Sequence, residues 1–166
     1  MLGRLFPRSL SNVYQGSWWA VALLLPVLLM KTLIGFNFSG VNPYVDVREI
    51  LVTVDGVPLD TFSPQAVASV LDTAGAWGAA LFALCLFVWL VLFRYRAGLP
   101  VAILVLAVEQ ILRTGADTIR VMEKIVAGTA QLAPGAMINL GMSALLVSAL
   151  VLSLLAVRPH PEASQE

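Results

Sequence analysis

The sequence predicts an all-α integral membrane protein: a bundle of four transmembrane helices with a short amphipathic element in its first outer loop. Three observations carry that expectation. Of the 166 residues, 59 % are hydrophobic and only 12 % charged; the mean hydropathy is +0.88; and apolar runs long enough to cross a hydrocarbon core of ~30 Å recur four times. A soluble domain of this length needs a polar shell that such a composition cannot supply.

Residues 1–16 carry Arg4 and Arg8 among scattered apolar side chains, which suits an interfacial lead-in. Trp18 and Trp19 mark a membrane–water boundary, because indole rings favour the headgroup level, and the first span follows over about 17–36. Pro26 removes one backbone hydrogen bond inside it. Lys31 interrupts it, so that Trp18–Met30 alone has the length of a signal-peptide core. Leu33-Ile34-Gly35-Phe36 resumes the apolar run without an A-x-A-like cleavage site, so an uncleaved helix is expected.

Residues 37–75 form the outer loop, in which Asp46, Glu49, Asp55, Asp60 and Asp72 face Arg48 alone. Asn42-Pro43 has the form of a helix start, and Tyr44, Val47, Leu51 and Val54 recur at helical spacing. A short amphipathic helix is therefore expected, with a strand and turn over Ile50–Gly56 as the alternative. Ser63-Pro64 is a second helix start, from which a helix can run unbroken to Arg94-Tyr95-Arg96. Its membrane section covers about 76–94, and its first turns project outside.

Ala97-Gly98 makes a tight turn. The third span runs over about 99–120, and after a second outer connection through Gly128–Gly135 the fourth covers about 136–157. The polar tail 158–166 closes a single membrane domain without internal repeats. Arg4, Arg8, Arg94, Arg96 and Arg158 fall on one side of four crossings. The positive-inside rule then makes this a multi-pass protein of the cell (inner) membrane with both termini cytoplasmic.

The third span holds the most informative pattern. At about 100° per residue, Glu109, Arg113, Asp117, Arg120 and Lys124 share one narrow stripe, with neighbours of opposite sign at i,i+4 and i,i+3. Glu109 lies about 15 Å beyond Leu99, near the midplane. A charge there costs roughly 2.5–3.5 kcal/mol, so the stripe should face the bundle interior, another subunit or a watery pocket. Lys31, about 20 Å from Trp18, sits at nearly the same depth. A buried cluster of Lys31, Glu109, Arg113 and Asp117 joining the first and third spans is the resulting expectation.

Three roles compete for it. The first is a structural network that fixes helix register. The second is a ligand site in which Arg113, Arg120 and Lys124 hold the phosphate or carboxylate of an anionic lipid or isoprenoid. The third is proton or ion movement through Glu109 and Asp117.

Other chemistry is thinly supported. The single His160 lies in the polar tail and the single Cys85 inside an apolar run, so neither histidine ligation of haem or zinc in the bilayer nor a disulfide is expected. Ser143, Ser148 and Ser153 have no base nearby, and Ala144 with Ser148, or Ala149 with Ser153, gives small-xxx-small spacing suited to helix contact. Asn139 offers one interhelical hydrogen bond. The loop acids match no EF-hand, and the sequon Asn37-Phe38-Ser39 abuts a span. Ten basic residues balance ten acidic ones, which removes the electrostatic signature of a nucleic-acid binder.

The expectation is a small non-catalytic accessory or assembly subunit of a membrane complex, without cofactor or metal, binding lipid through its polar third span and associating with itself or other chains. The alternative is a small oligomeric transporter or proton-coupled carrier using Glu109 and Asp117.

Overall fold

The structure, a computed structural model, describes residues 12–14, 16–126 and 134–155, except the side chains of 117 and 120–126. Its elements are α1 (Trp18–Phe38), α2 (Val47–Thr53), a 3-10 turn (Leu59–Thr61), α3 (Pro64–Arg94), a second 3-10 turn (Arg96–Gly98), α4 (Leu99–Val126) and α5 (Pro134–Leu154). Four segments are long and apolar enough to cross a membrane: Trp18–Phe38, Pro64–Arg94, Arg96–Ala116 and Pro134–Leu154. The protein is thus an all-α bundle of four candidate spans.

Local chemistry explains the boundaries. The Ser17 hydroxyl caps α1 by accepting from Trp19 N at 3.3 Å, and Ser63 caps α3 by accepting from Ala66 N at 3.3 Å, with Pro64 in the first turn where its missing N–H costs nothing. Pro26 sits inside α1 without ending it.

Two boundaries differ from the sequence reading. The loop helix begins at Val47, capped by Asp46, whose side chain accepts from Arg48 N at 2.9 Å, and not at Asn42-Pro43. The Asn42 side chain is used otherwise: it accepts from Tyr44 N and donates to Asn37 Oδ1 at 2.9 Å, which ties the loop back to α1 and leaves Tyr44 94 % exposed. Gly40 and Gly56, both at positive φ, turn the chain on either side of this segment. Pro134 and Gly135 belong to the first turn of α5 instead of the connection before it. A proline pre-set for the first helical position explains the earlier start.

The helices form a ring in which α1 packs on α3 and α5, α4 packs on α5, and α3 and α4 approach each other least. Helices α1 and α4 therefore face one another across the bundle. Glycines make the α1–α3 approach possible. A Cβ on Gly78 would lie 2.5 Å from Phe38 C, and one on Gly35 would lie 2.7 Å from Phe82 N.

The shared core contains Leu24, Leu28, Cys85, Val88, Leu99, Ile103, Leu106 and Leu146, all fully buried. A second, smaller core of Phe38, Leu51, Leu59 and Ala74 seats α2 against α1 and the first half of α3.

The two ends of the bundle are unlike. At the basic end, Arg94 and Arg96 lead into the tight turn, and the start of α1 meets the end of α5 through Ser17 N donating to Leu152 O at 3.4 Å. Tyr14 packs against the core there. Its hydroxyl is buried without a hydrogen-bond partner among the described residues, and burial pushes the phenol up to about 12. At the loop end, Gly135 N donates to Val54 O at 3.1 Å, fastening the end of α2 to the start of α5.

Candidate functional site

The inward stripe of α1 runs through Leu24, Val27, Leu28, Lys31, Gly35 and Phe38, so Lys31 occupies a position that helical periodicity turns toward the centre. It is 0 % exposed. Its ammonium donates to Glu109 Oε2 of α4. Because α1 and α4 lie across from each other, this bond passes through the middle of the bundle. The hydrophobic effect exerts no pull between helices immersed in lipid, and a buried ion pair is then one of the few directional ties available.

On α4 the buried stripe Leu99, Ala102, Ile103, Leu106 and Ala107 ends on Gln110, with Arg113 and Thr114 half-buried one turn beyond. With Glu109 at 0°, Arg113 falls at about 40° and Gln110 and Thr114 at about 100° and 140°. The charges therefore ride the shoulder facing α3, and the amide and hydroxyl lean toward α5.

The contacts follow this division. Arg113 Nε stands 3.6 Å from Glu109 Oε1, Arg113 Nη2 donates to Gln110 Oε1 at 2.8 Å, and the guanidinium carbon lies 5.2 Å from the Trp77 ring centre on α3. On the other side, Gln110 Nε2 donates to Asn139 O of α5 at 3.0 Å and to Thr114 Oγ1 at 3.2 Å. Thr114 and Ser143 share a hydrogen bond of 3.0 Å, and Ser143 Oγ also donates to Asn139 O at 2.8 Å.

A third linkage sits beneath these. Trp89 Nε1 of α3 donates to Thr32 Oγ1 of α1 at 3.0 Å, and that hydroxyl donates onward to Leu28 O at 2.6 Å. Cys85 is fully buried beside Thr32 and Lys31.

Of the sequence-predicted residues, Lys31, Glu109 and Arg113 thus come together, with the carboxylate between the two cations. The side chains of Asp117, Arg120 and Lys124 lie outside the described residues. Sequence reasoning missed Gln110, Thr114, Trp77 and the Thr32–Trp89 pair, and read Ser143 as packing alone. One signal for Gln110 was available: it is an amide on the same helical face as Ile103 and Leu106, where solvation by water is not on offer. Asn139 contributes an interhelical bond through its main-chain carbonyl. The small pairs on α5 divide, since Ala149 and Ser153 are buried in the bundle whereas Ala144 and Ser148 face outward.

A separate open groove of about 460 Å³ lies at the loop end, lined by Arg48, Leu59, Asp60, Phe62, Pro64, Val67, Ala68 and Leu71, with Arg48 and Asp60 paired at 3.2 Å across it. Among the described residues no group of three or more His, Cys, Asp or Glu is placed to hold a metal ion. Comparison with known protein families, with curated proteins and with solved structures finds no match.

Proposed function

We propose that the chain is a non-catalytic subunit of a membrane assembly, held rigid by its polar centre and offering its loop end and the shoulder of α4 to partners and lipid. The observation that carries this is the pairing of interior polar groups across helix boundaries. Lys31 with Glu109, Gln110 with Asn139 O and Thr114 with Ser143 each join two different helices. A network consumed in this way positions helices and, among the described residues, sets no nucleophile beside a base.

The projections support the second half of the reading. Helix α3 has 31 residues and α4 has 28, against 21 each for α1 and α5. At about 1.5 Å per residue the longer pair extends roughly 10 Å or more past the others. Arg94 and Arg96 at the opposite end favour a cytoplasmic location for that end, and hence for both termini in an inner membrane.

Gentle purification followed by native mass spectrometry tests the proposal. Partner chains held in fixed ratio are the expected result, and a bare monomer carrying neither protein nor lipid overturns it. A carrier would behave differently: proton flux into liposomes holding the chain alone, abolished by Glu109→Gln with expression intact, would replace this reading.

A further inference from the structure

We infer that the seam between α3 and α4 binds the phosphate of an anionic membrane lipid, with the Arg113 guanidinium as its ligand and Trp77 as its wall. This deepens the lipid part of the reading above and is independent of its protein partners.

Depth is the first argument. Arg113 lies 14 residues beyond Leu99, the start of α4, about 21 Å in and one turn past Glu109, and Trp77 lies 17 residues before Arg94, about 26 Å from that end of α3. Across a hydrocarbon core of ~30 Å, Trp77 then stands just inside the opposite headgroup layer, where tryptophan settles, and Arg113 in the outer third of the core, from which an arginine side chain snorkels toward phosphate. The Trp77 ring holds the guanidinium at this level through a cation–π contact of 5.2 Å.

Access is the second argument. Helices α3 and α4 approach each other least of the neighbouring pairs, and at this level two long side chains, Trp77 and Arg113, bridge them. Leu112 is 69 % exposed, and a Cβ on Gly115 would meet nothing within 4 Å. The side chains of Glu109 and Arg113 are partly exposed.

Valence is the third. Glu109 is shared between Lys31 and Arg113, so among the described residues two cations divide one carboxylate. Arg113 Nε faces Glu109 Oε1 at 3.6 Å without a hydrogen bond and Nη2 donates to Gln110 Oε1; among the described side chains no other acceptor meets the guanidinium, and the side chain of Asp117, one turn on, lies outside them. A planar guanidinium is the group suited to two-pronged phosphate binding.

The source of the phosphate follows from what adjoins the site. From Arg113 toward the basic end, Leu112, Val108 and Val105 are exposed on successive turns of α4 and form an apolar track for an acyl chain. A free phosphate gains nothing from such a track. Two cations against one carboxylate, among the described residues, favour a headgroup with net negative charge over a zwitterionic one.

The test is native mass spectrometry of the purified full chain with equimolar phosphatidylglycerol and phosphatidylcholine. One retained phosphatidylglycerol per chain is expected, preferred at least tenfold. Arg113→Gln should lower its retention tenfold or more, Trp77→Phe by a few-fold, and Arg94→Gln not at all. Arg113→Lys, which keeps the charge but loses the fork, should fall between, and it decides the matter if the glutamine variant does not fold. Equal retention of the two lipids overturns the inference, as does full retention in a folded Arg113→Gln or Arg113→Lys variant. Inorganic phosphate displacing the lipid at comparable concentration would also overturn it. So would a protein chain crosslinked at Arg113 in place of the lipid. Absence of the adduct while partner chains still co-purify removes this site and leaves the subunit reading standing.

Discussion

The basic-end and loop-end halves of the bundle are built on different physics. Toward the basic end, Leu24, Leu28, Val88, Leu99, Ile103 and Leu106 interlock around a three-residue turn, with no described ion pair among them. Toward the loop end, Lys31, Glu109, Gln110, Arg113, Thr114 and Ser143 add directional bonds between helices beside the small apolar core of Phe38, Leu51, Leu59 and Ala74. Dispersion contacts tolerate small shifts of one helix past another. Charged and amide groups in hydrocarbon do not, because each lost bond leaves a group with no water to turn to. The first half supplies cohesion, and the second fixes which helix faces which.

The strongest way to break that contrast is Glu109→Leu, which strands the fully buried Lys31. A loss of about 3–5 kcal/mol is expected, read from unfolding in mixed micelles. Adding Lys31→Met should restore most of it, and the charge swap Lys31→Glu with Glu109→Lys should rescue a damaged single variant. If either single substitution is harmless, the pair is not what holds α1 to α4.

Steric contact between α1 and α3 comes next. Gly78→Val, forced against the Phe38 backbone, should cost about 1–3 kcal/mol in the same assay. Gly141→Ala, with nothing within 4 Å, serves as the control and should be neutral or slightly stabilising. Gln110→Leu removes the bonds to Asn139 O, Thr114 and Arg113, yet interhelical hydrogen bonds in membranes are individually weak. About 1 kcal/mol is expected, together with a shift in α4–α5 spacing measured by paired spin labels.

Smaller still is the effect of pH at the basic end. The Tyr14 phenol is held up to about 12 by burial, above its ordinary value of 10.0. Its folded value exceeds the unfolded one, so its contribution to stability is complete below pH 10 and is lost as pH rises toward 12. A thermal melt followed across that window should fall for the wild type and stay flat for Tyr14→Phe. Since the hydroxyl has no partner among the described residues, the phenylalanine variant should otherwise be as stable or more so. Smallest of all, Asp60→Asn in the exposed pair with Arg48 should change stability by no more than about 0.5 kcal/mol.

How much was legible beforehand varies with the kind of property. The four long apolar helices were readable because hydrophobic length and helical period belong to each segment alone. Depth was readable for the same reason: counting residues from Trp18 and from Leu99 sets Lys31 and Glu109 at similar levels. The start of α2 was misread because Asn42 and Asp46 are both competent caps, and a bond from Asn42 to Asn37 in another element settled the choice.

Tertiary structure alone decided the rotation of each helix about its own axis and the neighbour it met. That rotation turns Gln110 inward, brings Trp77 beneath Arg113 and sets Lys31 across from Glu109 rather than beside it. The azimuth of a helix in lipid is a compromise among all the surfaces that pack against it, such as Gly35 on Phe82 and Gly78 on Phe38. No single segment contains that information, whereas each carries its own length and period in full.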